Sequence, residues 1–389
     1  MQTYDVIVVG NGLAGAALSY ELAKVGQSVL LMDDANPESG TRYSYGGVGY
    51  WAGTTELTKA LLQEGLNRHR ELTDELEADT QFRELDLLLT VEKGADVEAL
   101  KQDYSAFSYP LRYVSPQEAK EIEPQLATDS IQGAFTVRHA HVNPTAIVGA
   151  YNHAFRQLGG HHNISRVTKL ADVAGRITGV LTAQQAYPAK RVIIAAGAYS
   201  LRLLEKAGVS VPLLFTHAEI IETPPLDVEL KSIILPAANN RFKQEMQTAD
   251  SVLWKKKDTQ VAPPILEAGI VQFMDRTARI GQISRFHTSY TPPEDPTKST
   301  LAMRSAIAQQ LPALKNAPGQ WRHCLVTFTA DGLPLVGPVP NAENLHVFSG
   351  FTGPFAMVPP VAQRYARHLS QSFDPLVNQL TTERFTRSA

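Results

Sequence analysis

The sequence predicts an α/β fold class in two domains, on three observations. Its first 33 residues read as strand, glycine turn, helix, strand and acid. A second buried run, Arg191-Val192-Ile193-Ile194-Ala195, enters another turn of small residues at Ala196-Gly197-Ala198. The block from 216 to 324 has a different texture, with Pro-rich loops at Pro263-Pro264 and Pro292-Pro293 and short strand signals at Ile270 to Phe273 and Ile280 to Phe286. A chain of 389 residues is also too long for one small core, which calls for two domains or one domain with a large insertion.

The opening unit explains itself residue by residue. Asp5 to Val9 is β-branched and apolar, a buried strand. Gly10-Asn11-Gly12-Leu13-Ala14-Gly15 turns the chain into a helix whose small and apolar residues recur to Lys24, and Gly26 stands where a helix C-terminus ends. Ser28 to Met32 is a second strand, closed by Asp33 and Asp34. This order, within about 30 residues, is the Rossmann-like dinucleotide-binding unit. Gly10 permits the tight turn, Gly12 admits a pyrophosphate to the backbone, and Gly15 lets helix and sheet approach. The helix N-terminus at Leu13 and Ala14 offers free N–H groups to phosphates. Asp33 accepts from ribose hydroxyls. The unit alone does not separate FAD from NAD.

Beyond it, Gly40 to Trp51 is too rich in glycine for a regular element. It is expected to be a loop packed on the cofactor, through Thr41, Arg42, Gly46 and Gly47, with Tyr50 and Trp51 as walls. His141-Val142-Asn143-Pro144 precedes a helix over 145–158, and strand signals follow at 167–170 and 177–181. The chain closes with Thr329 to Pro338, a glycine segment Ser349 to Phe355, and a helix around 361–369.

In this order the motifs resemble the D-amino-acid oxidase, glycine oxidase and sarcosine oxidase family nearly end to end. The matching pieces are Gly10 to Gly15, Asp33, Val142-Asn143-Pro144, Ala195 to Ser200, Asp331 to Gly337 and Gly350 to Gly353. The resemblance implies FAD, bound between a parallel-sheet domain and a second, mainly antiparallel-sheet substrate domain. It assigns residues 1–80, 141–215 and 325–389 to the first and 81–140 and 216–324 to the second. It also places Val167 at the adenine end, with Asp331, Gly332 and the run Gly350, Phe351, Thr352, Gly353, Pro354, Phe355 beside the flavin.

Two local matches point to the sarcosine oxidase branch. Cys324 to Asp331 reads C-x-x-T-x-T-x-D, similar to the run whose cysteine is bonded to the flavin, with Val326 where that run has tyrosine. The resemblance therefore implies Cys324 as a candidate covalent link. Arg279-Ile280-Gly281 is similar to a Lys-Leu-Gly run whose lysine sits over the flavin, and Arg279, Arg42 and Tyr50 are the expected catalytic-site residues. The departures are on the substrate side. Val326 occupies the place of the family's carboxylate-binding arginine, and Ala356-Met357 follows the terminal glycine run where sarcosine oxidases have lysine. Arg42, Arg285 and Arg322 are the candidates to replace those anchors.

Amine oxidation by a flavin requires no side-chain dyad, because the cofactor carries the hard chemistry. The expected reaction is oxidation of a small amine or amino acid, with a small-molecule substrate. FAD-dependent dehydrogenation of a hydroxy acid and a flavin-holding accessory protein with little turnover remain open. A net charge of −3 suggests neither nucleic acid nor an anionic membrane as partner. The single cysteine suits a reducing, cytoplasmic setting, and no apolar run is long enough to span a bilayer. His161-His162 suggests a metal, but adjacent residues do not share a helix face, so no metal is assigned. Oligomeric state is not encoded legibly.

Overall fold

A computed structural model describes residues 2–291, 295–370 and 373–385; the expected Pro292-Pro293 loop lies outside the described residues. The opening unit forms strand Tyr4–Val9, helix Leu13–Lys24 and strand Val29–Asp33. Val6 and Val8 face one core cluster, Ile7 and Val9 another. A strand covered on both faces reads as an unbroken apolar run instead of an alternating one.

Tyr4–Val9 is central in its sheet. It runs parallel to Val29–Asp33 on one side and to Ala186–Ile194 on the other. His161–Ile164 and Leu345–Ser349 extend the two flanks, again parallel, and Leu335–Pro338 ends the second flank antiparallel. The hairpin of Lys169–Val173 and Arg176–Leu181 leaves from Ala186–Ile194. His161–Ile164 was not expected as a strand: His-His-Asn-Ile is a short, polar edge with no period to read. On one face, helix Leu13–Lys24 packs between Pro144–Gln157 and Pro354–Ser370, and Glu56–Glu75 packs on the latter.

A second, nine-stranded sheet runs in the order Gln320–Phe328, Leu214–Glu222, Ala278–His287, Gln260–Gln272, Ser232–Pro236, Arg83–Glu92, Ile131–His141, Gly47–Val48, with Arg112–Val114 also on Ile131–His141. It is antiparallel except where Ser232–Pro236 meets Arg83–Glu92. Helix Pro296–Gln310 covers its far face, where Met303 and Ile307 join Ile280 and Ile283 in one cluster. The expected boundaries at 141, 216 and 325 fall at the end of, or inside, Ile131–His141, Leu214–Glu222 and Gln320–Phe328.

Three expectations about elements need correction. Pro263-Pro264 is not a loop but part of strand Gln260–Gln272; the register shifts between Ala262 and Ile265, so two residues without N–H groups cause an irregularity instead of a break. The glycine-rich stretch contains the short strand Gly47–Val48 and a helical turn at Tyr50–Ala52. The last helix begins at Pro354, seven residues before its expected start, and carries Pro359 and Pro360 inside it. Those prolines leave the carbonyls four residues earlier without their usual donors. His69 Nε2 donates to Phe355 O at 2.5 Å. Ala356 O instead faces Gly65, where a Cβ would lie 1.8 Å away.

Candidate active site

The carboxyl ends of the parallel strands face the open side of the second sheet, the usual position for a ligand crevice in an open α/β sheet. Between them lies a cavity of about 980 Å³. One wall is the dinucleotide unit. Gly10 has φ +110° and passes so close to Ala195 that a Cβ would lie 2.5 Å from its carbonyl oxygen; a Cβ on Gly15 would lie 1.7 Å from Gly10 O. The helix cap is Gly12, with no side-chain cap and no acidic residue in the first turn, which keeps the positive dipole end open to an anion. Leu13 N–H is held by Thr41 Oγ1 at 3.0 Å. Asp33 accepts from the N–H of Asn11 at 2.7 Å and of Ala35 at 2.6 Å, which fixes its carboxylate at the strand end.

Of the expected cofactor residues, Gly10, Gly12, Leu13, Ala14, Asp33, Thr41, Gly47, Ala196, Gly197, Cys324, Asp331, Gly332 and Gly350 to Phe355 all line this cavity. Gly15 serves the helix–turn approach instead. Gly46 packs under Val142 O. Asp34 pairs with Arg166 at 2.9 Å, and Val167 is buried in the cluster that holds Val9 and Met32. None of these four lines the cavity.

The expected catalytic trio is placed differently from the reading. Arg279 is buried behind the glycine-rich loop. Its guanidinium donates to Ser44 O, lies over the Phe273 ring at 4.7 Å and stands 3.8 Å from Glu222. Burial lowers its pKa. Arg42 is exposed, and Tyr50 donates its hydroxyl to Arg138 O at 3.0 Å. None of the three lines the cavity. Arg279 acts on the loop: with His141, which hydrogen-bonds Tyr45 O at 2.9 Å, it clamps the segment from the second sheet. Arg285 and Arg322 are also turned elsewhere, to Glu219 at 2.5 Å and Glu222 at 3.0 Å.

The other wall is a face of the second sheet, carrying Cys324 and Val326, Ala218 and Ile220, Gln282, Leu235, Leu87 and Leu89, and His139. Burial in an apolar cluster with Tyr43 and Ala218 pushes the Cys324 thiol up to about 12. His139 accepts at Nδ1 from Trp51 Nε1 at 2.9 Å, and desolvation holds it down to about 4. Arg241, from helix Asn240–Thr248, also lines the cavity. Nothing in Arg-Phe-Lys-Gln-Glu-Met signals a site, because the run reads as an exposed polar helix.

The cavity fits FAD on its own chemistry. It has an open helix N-terminus for phosphates and an anchored acid for a ribose. Thr352 Oγ1 and Tyr45 Oη line it and are buried without a partner, and buried polar atoms seldom go unmatched. No group of three or more His, Cys, Asp or Glu among the described residues is placed to hold a metal ion. No helix among them is long and apolar enough to cross a membrane.

This is the architecture of a flavin-dependent oxidoreductase. The family profile described as FAD dependent oxidoreductase matches residues 5–368, and the chain belongs to that family. Peroxisomal sarcosine oxidase of Homo sapiens is 23% identical over 392 residues, covering 96% of this chain and 93% of that protein. The 4-methylaminobutanoate oxidase (formaldehyde-forming) of Paenarthrobacter nicotinovorans is 28% identical over 217 residues, covering 53% of this chain and 26% of that protein. The crystal structure of glycine oxidase from Geobacillus kaustophilus shares the fold, with a TM-score of 0.79 at 19% identity over 96% of each chain.

Proposed function

We propose that the chain oxidises a carbon–nitrogen bond in a small amine or amino acid, and the observation that carries this is the state of His139. An indole N–H is a donor only, so the ring nitrogen facing Trp51 is the acceptor and the proton sits on Nε2. With its pKa held near 4 by burial, the ring is neutral at pH 7. His139 therefore offers the cavity a hydrogen-bond donor and no lone pair. Three carboxylates of the cavity are committed: Glu245 to Arg241 and Thr216, Asp331 to Arg384, Asp103 to Lys243. Oxidising an alcohol requires a base for the hydroxyl proton. A neutral amine brings its own lone pair and needs none.

Gly10, Gly12, Leu13 and Ala14 would hold the pyrophosphate of FAD, Asp33 a ribose, and Cys324, Asp331, Gly332 and Gly350 to Phe355 the flavin side. When bound, FAD supplies the two-electron acceptor for the substrate carbon's hydride. The chain's own part is to position the substrate and exclude water. We assign these tasks to two domains, residues 1–80, 141–215 and 325–389 for the cofactor and 81–140 and 216–324 for the substrate.

Cys324 as a thiol with its pKa near 12 is a poor nucleophile at neutral pH, so FAD is read as reversibly bound. The test uses purified holoenzyme. Anaerobic mixing with small amines and amino acids should bleach the yellow flavin spectrum, and hydroxy acids should leave it unchanged. Bleaching by hydroxy acids alone would overturn the reading. Acid precipitation should release the colour to the supernatant; colour kept in the pellet would restore a covalent link through Cys324.

A further inference from the structure

We infer that Arg241 is the recognition residue for a carboxylate on the substrate, and that the acid it holds carries a bulky apolar group. This rests on the amine-oxidation reading for the reaction, but not for the binding.

The helix Asn240–Thr248 is fixed at its start by Glu267, whose Oε1 accepts from the N–H of Asn240 at 2.7 Å and of Arg241 at 3.4 Å. Within it, Glu245 Oε1 accepts from Arg241 Nε at 2.9 Å and from Thr216 Oγ1 at 2.7 Å. Glu245 is almost wholly buried, its side chain 3% exposed. It thus holds the guanidinium by one nitrogen and sets its plane.

A guanidinium carries five N–H donors in a rigid fork. Only one is taken here; among the described residues neither Nη group of Arg241 has a protein acceptor. Yet the side chain is only 15% exposed and lines the cavity. Its charge reaches the Cys324 thiol and the Tyr45 hydroxyl, both on the cavity wall. The free end of the fork has the geometry that pairs bidentately with a carboxylate. Tyr45 Oη, buried without a partner, is a further donor on the same side.

The cavity that this anchor lines is mostly apolar. Its lining includes Leu87, Leu89 and Leu235, Tyr104 and Phe107, and Phe242 and Met246 one helical turn apart, beside the paired Asp103 and Lys243. A small acid such as glycine would leave this surface bare. An acid with an aromatic or branched aliphatic substituent would cover it and gain the transfer free energy of its own surface.

The test separates binding from turnover by using inert probes. Phenylacetate, acetate and phenylacetamide are titrated into holoenzyme and followed by the shift of the flavin spectrum. Phenylacetate should bind better than acetate. Arg241→Gln should weaken phenylacetate roughly 10- to 100-fold, the range of a lost charge-assisted hydrogen bond, and leave phenylacetamide unchanged. Arg241→Lys should recover part of the loss, because it keeps the charge without the fork. Equal weakening of acid and amide would mean a structural role and overturn the assignment, as would no loss for phenylacetate. Acetate binding as well as phenylacetate would overturn the apolar part. If these results hold and no amine bleaches the flavin, the anchor stands and the amine-oxidation reading falls.

Discussion

Trp51 decides what His139 is. Its indole N–H fixes the tautomer, so a ring that could act as a base becomes a donor. Trp51→Phe would leave His139 Nδ1 buried without a partner, a loss of about 1–3 kcal/mol, read as a lower urea midpoint. It would also free the ring to present its lone pair to the cavity, so the pH–rate profile should change shape. An unchanged midpoint and profile would show that the indole does not set the ring. At this scale the site was legible only where chemistry imposes a spacing. Gly10, Gly12 and Asp33, picked out by the fingerprint spacing, line the cavity. Arg279 was singled out by its likeness to a Lys-Leu-Gly run, but its guanidinium donates to Ser44 O, and no pattern reports a side chain's direction. Arg241 was invisible for the same reason.

At the scale of elements, the final helix shows how tertiary partners overrule local rules. Two successive prolines should stop a helix, yet this one runs through both, from Pro354 instead of the expected 361. The chain instead supplies a replacement donor from another helix, His69, and removes the side chain at Gly65 so that Ala356 O can approach. His69→Leu is expected to lose about 1–3 kcal/mol, the cost of a buried carbonyl left unpaired. Flavin content should also fall, because Phe355 lies in the turn that lines the cavity. A variant as stable as the parent would show that Phe355 O finds water instead. The strands of the opening unit were legible because burial on both faces makes them continuously apolar. Edge strands such as His161–Ile164 carry no such mark.

At the scale of the molecule, six histidines are buried and held neutral. Desolvation brings His69, His139, His217 and His323 down to about 4, and His141 and His346 to about 3, from 6.5. In the unfolded chain each would take a proton near 6.5, so the unfolded state binds more protons as pH falls below that value. Stability is therefore full above 6.5 and is lost progressively toward 4, by up to about 1.4 kcal/mol per pH unit for each group that titrates fully. Urea midpoints at pH 7.5, 6.5 and 5.5 should fall together with pH in the last interval; a flat response would mean that the rings are hydrated. The nine-stranded sheet, which carries His139, His141, His217 and His323, was hard to foresee as a whole. Its strands come from distant parts of the chain, and each register is set by partners far away in sequence.

The loop that lines the cavity is gripped from the opposite sheet, by Arg279 at Ser44 O and His141 at Tyr45 O. The two halves of the molecule thus share one fastening. If a substrate acid binds as inferred above and is coupled to FAD through this fastening, whatever factor FAD adds to the acid's affinity is returned in full as tighter retention of FAD. With a favourable coupling, such an enzyme would hold its flavin most firmly when it has something to oxidise and give it up most readily when starved.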